Sequence, residues 1–362
     1  MKRKHNSGFI LPLTLSIIGL SIALVTYMAN NGRVFAPAAK TMIEREKTRM
    51  LARSGIEIAM SQLAIPDKKT AQKADAKDKK ESKNDKEEKQ ETIFSFVLPR
   101  LNTWQRFKLV TAVDGLQGEI GICLMSEEGK LNLNELFDPA TGNLIESLKK
   151  NPAAEKCMQE LFDRIDKTSG GKDLYKTFIA FLKNRKSRLD DVTELLMIKE
   201  FEIFKERIFF DPPEEGASKE GKKQAYLTDL FTIWSGKKTL QPWLLSPAMC
   251  DVLKVVPGKN GSLEEKRKII TEVLKTLPDS LSWPEGWNKY LKLWYEKDFS
   301  TLPKGIDVFL DTKFEPSVFS VLCYGKIGKT TQKIFAILER VKAPSEKDKE
   351  KVNVTIKKLY WL

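Results

Sequence analysis

The sequence contains a single histidine, His5, close to its start. Beyond that residue, Ser-His-Asp and Cys-His catalysis, histidine-ligated zinc and the usual neutral-pH proton shuttle are all removed. Carboxylate pairs or a Ser-Lys dyad would remain for an enzyme, but no spacing singles any out. The sequence is therefore read as non-enzymatic. Cysteine is scarce too: Cys123, Cys157, Cys250 and Cys323 are widely separated. None forms a C-x-x-C pair, so neither a zinc ribbon nor a thioredoxin-like site is indicated. An oxidising compartment would permit up to two disulfides in any of three pairings, and spacing does not choose among them. No dense acidic loop suggests a metal site.

Charge is missing altogether from Phe9 to Gly32, FILPLTLSIIGLSIALVTYMANNG. A membrane-spanning helix needs about 20 mostly apolar residues, which this run supplies. Lys2, Arg3 and Lys4 precede it, so the N-terminus is expected in the cytoplasm and the bulk of the chain across the membrane. Pro12 falls in the first turn, where a missing N–H does little harm. Three readings compete. A cleaved signal peptide would use Ala36-Pro37-Ala38, which lies far from the apolar run and holds a proline. An uncleaved anchor is the second. The third is a prepilin-type leader, cut between Gly8 and Phe9 so that the helix survives.

What is abundant is lysine. The 362 residues carry a net charge of +13, which suits an acidic partner or a plainly solvated basic surface, the blander reading being favoured. Residues 66–91 hold nine lysines and eight acids with no aromatic and no large aliphatic residue, so they are expected to be disordered. Their near-neutral balance is unlike a nucleic-acid-binding tail.

Around that insertion, Ala38–Leu63 reads as a helix with Ile43, Met50, Ile56, Met60 and Leu63 as its apolar stripe. Strands are expected at Ile93–Leu98, Phe107–Val113 and Gly118–Leu124, and again at Val318–Tyr324, Ile334–Val341 and Val352–Tyr360. Between them the spacing turns helical, as in Cys157–Ile165, Leu174–Leu182, Val192–Ile198 and Leu263–Leu274. The expected class is α+β: a long N-terminal helix, membrane-spanning then amphipathic, lying against a folded domain in which strands flank a large inserted helical subdomain.

Four local motifs bear on function. Gly325-Lys326-Ile327-Gly328-Lys329-Thr330 ends like a phosphate loop, but Cys323 stands where the first glycine belongs, so a hairpin turn is expected. Val255-Val256-Pro257-Gly258 reads like a helix–hairpin–helix turn, a unit that binds phosphates or simply packs. Asp190-Asp191-Val192-Thr193-Glu194-Leu195-Leu196 opens like a capped helix. Trp283, Trp287, Trp294 and Tyr295 cluster, with core packing the default.

Taken in order along the chain, these pieces resemble the type II secretion protein K family, the large minor pseudopilins. The leader ends at Gly8, with Phe9 as the new N-terminus. Leu13 stands where most pseudopilins carry a glutamate, which the K family lacks. Gly129, Asn132, Leu133, Asn134 and Leu136 fall on a G-x-x-N-L-N-x-L turn. Glu194 and Leu195 match a Glu-Leu pair; Tyr226–Gly236, with Asp229, is the best-matching stretch; Pro257-Gly258 matches a second hairpin. The family's Asn-x-Asn-Thr-Ala and Asp-Trp-Ile-Asp elements are missing here.

The resemblance implies a prepilin peptidase cutting after Gly8 and methylating Phe9. It implies minor pseudopilins I and J as partners at a pseudopilus tip, on the periplasmic side of an inner-membrane secretion platform. Some relatives bind calcium, and no other cofactor is implied. The implied layout is a leader at 1–8, a transmembrane helix at 9–32 and its amphipathic continuation at 33–64, packed on a pilin-like antiparallel sheet. An insertion follows at 65–92, then sheet at 93–130, a helical subdomain at 131–277 and sheet at 278–362. The alternative function is a membrane-anchored DNA-binding or uptake protein built on the hairpin at Pro257-Gly258, with nucleic acid the less favoured partner.

Overall fold

The computed structural model describes residues 10–65, 96–210, 225–237, 239–255, 268, 292, 294–298, 301–310, 316–342 and 352–362. The chain is α+β. Helix α1 (Ile10–Leu63) runs unbroken through Gly32 and Pro37. Its last third lies on a five-stranded antiparallel sheet ordered β1-β2-β5-β6-β7. The strands are β1 (Trp104–Leu109), β2 (Gly118–Ser126), β5 (Val318–Ile327), β6 (Thr330–Lys342) and β7 (Val352–Trp361). A two-stranded parallel pair, β3 (Leu131–Asn132) and β4 (Phe231–Thr232), lies apart from it.

Strand alternation gives the sheet two apolar faces. Ile120, Ile122, Leu124, Phe319, Val321, Cys323, Ile334, Ala336 and Leu338 belong to the core that includes α1. Cys123, Met125, Val318, Leu322, Phe335 and Ile337 face the other way, beneath Phe209, Phe210, Tyr226 and Trp234. The register pairs Ile122 with Cys323 and Cys123 with Leu322. Cys123 and Cys323 therefore sit on opposite faces of neighbouring strands. All four cysteines are free and buried.

The stripe that α1 buries differs from the expected one. It consists of Thr48, Leu51, Ala52, Gly55, Ile56, Ala59 and Leu63, while Ile43 and Met50 are exposed. Close approach decides this. A Cβ at Gly55 would lie 3.1 Å from Ile120 Cγ2, and one at Gly325 would lie 2.2 Å from the Thr48 carbonyl oxygen. Small residues let the helix backbone descend onto β2 and β5, where Leu51, Ile56 and Leu63 are buried with them, while Ile43 and Met50 point away.

Two other expectations change. The described part of Ile93–Leu98 is helical turn, continuing into a 3-10 turn at Leu98–Arg100. Phe107–Val113 is strand only to Leu109; Thr111–Asp114 forms a helical turn ended by Gly115 at φ 72°. The later strands and the β5–β6 hairpin occur where expected, and Ile327 pairs with Thr330 across a Gly328-Lys329 turn.

Between β2 and β5 in the chain come α2 (Pro152–Ser169), α3 (Leu174–Arg185) and α4 (Pro247–Leu253). Asn151 caps α2 by accepting from Ala153 N at 3.0 Å, and Gly170 closes it at φ 79°. Aromatic packing joins these helices to their neighbours: Phe137 meets Phe178 edge-on at 5.1 Å, and Phe162 stacks on Phe178 at 6.0 Å. Val192–Met197 is a 3-10 helix. Most of Leu263–Leu274 and all of residues 66–91 lie outside the described residues.

Candidate functional site

Two features stand out: the exposed apolar half of α1, and a buried polar joint between the sheet and the helices. In the first, Leu15, Ile17, Ile18, Leu20, Ile22, Leu24, Val25, Tyr27 and Met28 are all more than half exposed. Soluble monomers rarely show a contiguous apolar surface of that size. By length and composition α1 can cross a membrane, and its most apolar window is not buried against the rest of the chain. Two of its hydroxyls are satisfied within the helix: Ser16 Oγ donates to the Pro12 carbonyl at 2.9 Å and Thr26 Oγ1 to the Ile22 carbonyl at 2.7 Å. Such internal bonding is what a lipid environment demands.

The second feature grows from the turn after β2. Gly129 has no room for a side chain, since a Cβ would lie 1.8 Å from the Leu244 carbonyl oxygen. On either side the chain turns inward. Lys130 is 2% exposed; its ammonium pairs with Glu127 and donates to Ser320 Oγ at 3.0 Å. Glu127 also accepts from Thr232, which ties β4 to the turn.

Glu128 is wholly buried. It accepts from Ser317 N at 2.7 Å, Val318 N at 3.2 Å and Ser126 Oγ at 3.0 Å. Burial pushes its carboxyl above the usual range, and the bonds from Ser317 offset part of that.

The family-matched residues extend this joint. Asn132 Nδ2 donates to Ser235 Oγ at 2.8 Å, and its Oδ1 accepts from Asn134 N at 3.2 Å and Glu135 N at 3.3 Å. Asn134 mimics a backbone partner for Leu189, donating to its carbonyl at 2.8 Å and accepting from its N–H at 2.9 Å. Glu194 completes a capping box: its Oε1 accepts from Asp190 N at 2.7 Å and Asp191 N at 2.9 Å, and its other oxygen pairs with Arg185. Leu195, beside it, is fully buried.

Asp229 accepts from Ala248 N at 2.8 Å at the start of α4, and its backbone carbonyl accepts from Ser246. Among the described residues its Oδ1 finds no hydrogen-bond partner, and burial pushes its pKa up to about 7. These residues fasten one segment of the chain to another.

Leu13 lies in α1. Gly8, Phe9, Pro257 and Gly258 lie outside the described residues, as do Trp283 and Trp287. Trp294 and Tyr295 are buried, and the Tyr295 hydroxyl donates to the Pro242 carbonyl, so this part of the aromatic cluster is packing. Helix α4, which precedes Pro257-Gly258 in the sequence, buries Ala248, Met249, Cys250, Val252 and Leu253. Among the described residues, no three His, Cys, Asp or Glu side chains gather to hold a metal, so no calcium ligand set appears among them.

Sequence reasoning missed Glu127, Glu128, Lys130 and Arg340. Arg340 holds the end of α1, donating to the carbonyls of Leu63 and Ile65 at 2.7 Å each and of Pro316 at 2.9 Å. A charged triplet in a turn reads as solvated surface, and only the polar partners far along the chain reveal it as buried.

No family model matches the chain, and no curated protein does. Among solved structures, it is similar to a chain in the GspK-GspI-GspJ complex of the type 2 secretion system from enterotoxigenic Escherichia coli. The two share 13% identity over 74% of this chain and 91% of that one, at a TM-score of 0.35. A superposition that loose does not by itself establish a shared fold. The α+β architecture stands on the elements described above.

Proposed function

We propose that this chain is a minor pseudopilin of the type II secretion system, K type, which caps the pseudopilus tip together with minor pseudopilins I and J. The observation that carries the reading is α1: one helix is nakedly apolar over its first half and built into an antiparallel sheet over its last third. The sequence resemblance along the chain points the same way. On this reading the helix holds the protein in the inner membrane with the folded part periplasmic, prepilin peptidase cuts after Gly8, and Phe9 is methylated.

Leu13 then has a physical role. In other pseudopilins a glutamate there neutralises a neighbour's N-terminal amine in lipid, where an unpaired charge is costly. A subunit with leucine offers no partner to a subunit above, which suits the terminal position. The role is structural and non-enzymatic.

Co-expression with minor pseudopilins I and J in membranes tests the proposal. A stoichiometric complex that survives detergent extraction is expected. Three proteins that extract and migrate separately would contradict it.

A further inference from the structure

The course of the sheet along α1 fixes which end of the domain faces the apolar half of the helix. Thr330 Oγ1 donates to Glu44 Oε2 at 3.5 Å, near one end of β6. Arg340, near the other end, holds the carbonyls of Leu63 and Ile65. Strand β6 therefore travels away from the apolar half, and the loops at its start point toward that half. There are two: the Gly328-Lys329 turn, and residues 110–117 between β1 and β2, which align beside it through the pairing of Glu119 with Lys326.

The chemistry of these tips is unusual for a solvated loop. Val113 is 86% exposed and Val110 56%. Lys108, Lys326 and Lys329 stand exposed around them. The loop's own acid, Asp114, accepts from Val110 N at 2.7 Å and so closes the turn. Glu119 accepts from the Tyr324 hydroxyl. On the facing stretch of α1, Arg33, Lys40, Arg45 and Lys47 are exposed, against Glu44 and Glu46.

We propose that this end of the domain is a lipid-facing foot. It leans onto anionic headgroups of the leaflet that α1 leaves, with Val110 and Val113 entering the interface and Lys108, Lys326 and Lys329 meeting lipid phosphates. The proposal rests on the membrane-spanning reading of α1. Its reach is adequate: from Gly32 to Glu44 the helix rises about 18 Å. The two tips extend from the level of Glu44 back toward Gly32, which shortens that gap. Pro37 lies in the connecting stretch. It has no N–H to bond the carbonyl of Arg33, which makes this turn the softest place for the domain to lean. Apolar tips ringed by cations suit an anionic bilayer, where juxtamembrane lysines are attracted and the attraction falls off within a Debye length.

The test uses the full chain in lipid discs of phosphatidylcholine, with or without phosphatidylglycerol, carrying a headgroup-attached quencher. A fluorophore goes on Ala112→Cys, since the native cysteines are buried; a second goes on Met197→Cys, exposed in the 3-10 helix. Strong quenching at 112 only with phosphatidylglycerol is expected, lost in high salt and in Lys326→Glu/Lys329→Glu, with none at 197. The salt titration leaves the lysines unaltered, so a misfolded variant cannot mislead. Discs that retain the chain but quench position 112 equally in both lipids, or in neither, overturn the foot alone. The basic tip would then belong to a protein or nucleic-acid partner. A chain that carbonate strips from the membrane overturns the spanning reading and the foot together.

Discussion

Gly325 of β5 meets Thr48 of α1 so closely that a Cβ on the glycine would lie 2.2 Å from the threonine carbonyl oxygen. Neither backbone can retreat without unzipping either the helix or the strand. Gly325→Ala is expected to destabilise the domain by about 2–3 kcal/mol, as overpacking does. Gly129→Ala should do at least as much, because its neighbour is the Leu244 backbone at 1.8 Å. Gly32→Ala, with nothing within 4 Å, should be neutral or slightly stabilising. Denaturant unfolding of the detergent-solubilised chain, followed by tryptophan fluorescence, separates the three.

Lys130 and Glu127 form an ion pair with almost no solvent contact, their side chains 0% and 3% exposed. Removing one partner strands a buried charge. Lys130→Met should therefore cost about 3–5 kcal/mol. Lys130→Met/Glu127→Leu should recover much of that loss, because an apolar pair of similar volume leaves no buried charge unpaired. If the double variant is less stable than Lys130→Met alone, the pair is not what holds the turn.

Asp229 gives the domain a pH dependence of definite sign. Its folded-state pKa, about 7, lies above the ordinary value of 3.8 because burial disfavours the carboxylate. The folded state then holds a proton that the unfolded chain has released. This contribution to stability is fully present below about pH 4 and lost as pH rises through about 7. Asp229→Asn should flatten the stability profile across that window. Unfolding midpoints at several pH values measure it, and an unchanged slope would contradict the assignment.

Arg340 closes α1 through three carbonyls, those of Leu63, Ile65 and Pro316. A guanidinium fork reaches all three, whereas an ammonium cannot match that geometry. Arg340→Lys should cost about 1.5–3 kcal/mol, the range for hydrogen bonds to charged groups. Hydrogen exchange should then rise first at residues 60–65, the last turn of the helix. Uniform exchange across the domain would argue against a local cap.

Some of this was readable from sequence and some was not, for physical reasons. Strands β5, β6 and β7 announce themselves by β-branched and aromatic runs, and the failed phosphate loop reads correctly as their hairpin. The uncharged run from Phe9 needs only counting. The packed face of α1 is only partly legible, with Ile56, Met60 and Leu63 on it as expected, because its contact also depends on Gly55, Ala52, Ala59 and Thr48, which carry little hydrophobic signal and act by letting backbones approach. Asn132, Asn134 and Asp229 stand out only through the family resemblance, whereas Glu194 falls in the stretch that opens like a capped helix. Glu127, Glu128 and Lys130 were invisible, because a lysine beside two glutamates looks like surface until Ser317, Ser320 and Thr232 are brought to it from more than a hundred residues away.

The N-terminal residue and intact mass of the protein isolated from membranes test the pseudopilin reading most directly. The account predicts a chain beginning at a methylated Phe9. A chain beginning at Ala39, released in soluble form, would contradict both the anchor and the pseudopilin. An intact Met1 would keep the anchor and contradict the pseudopilin.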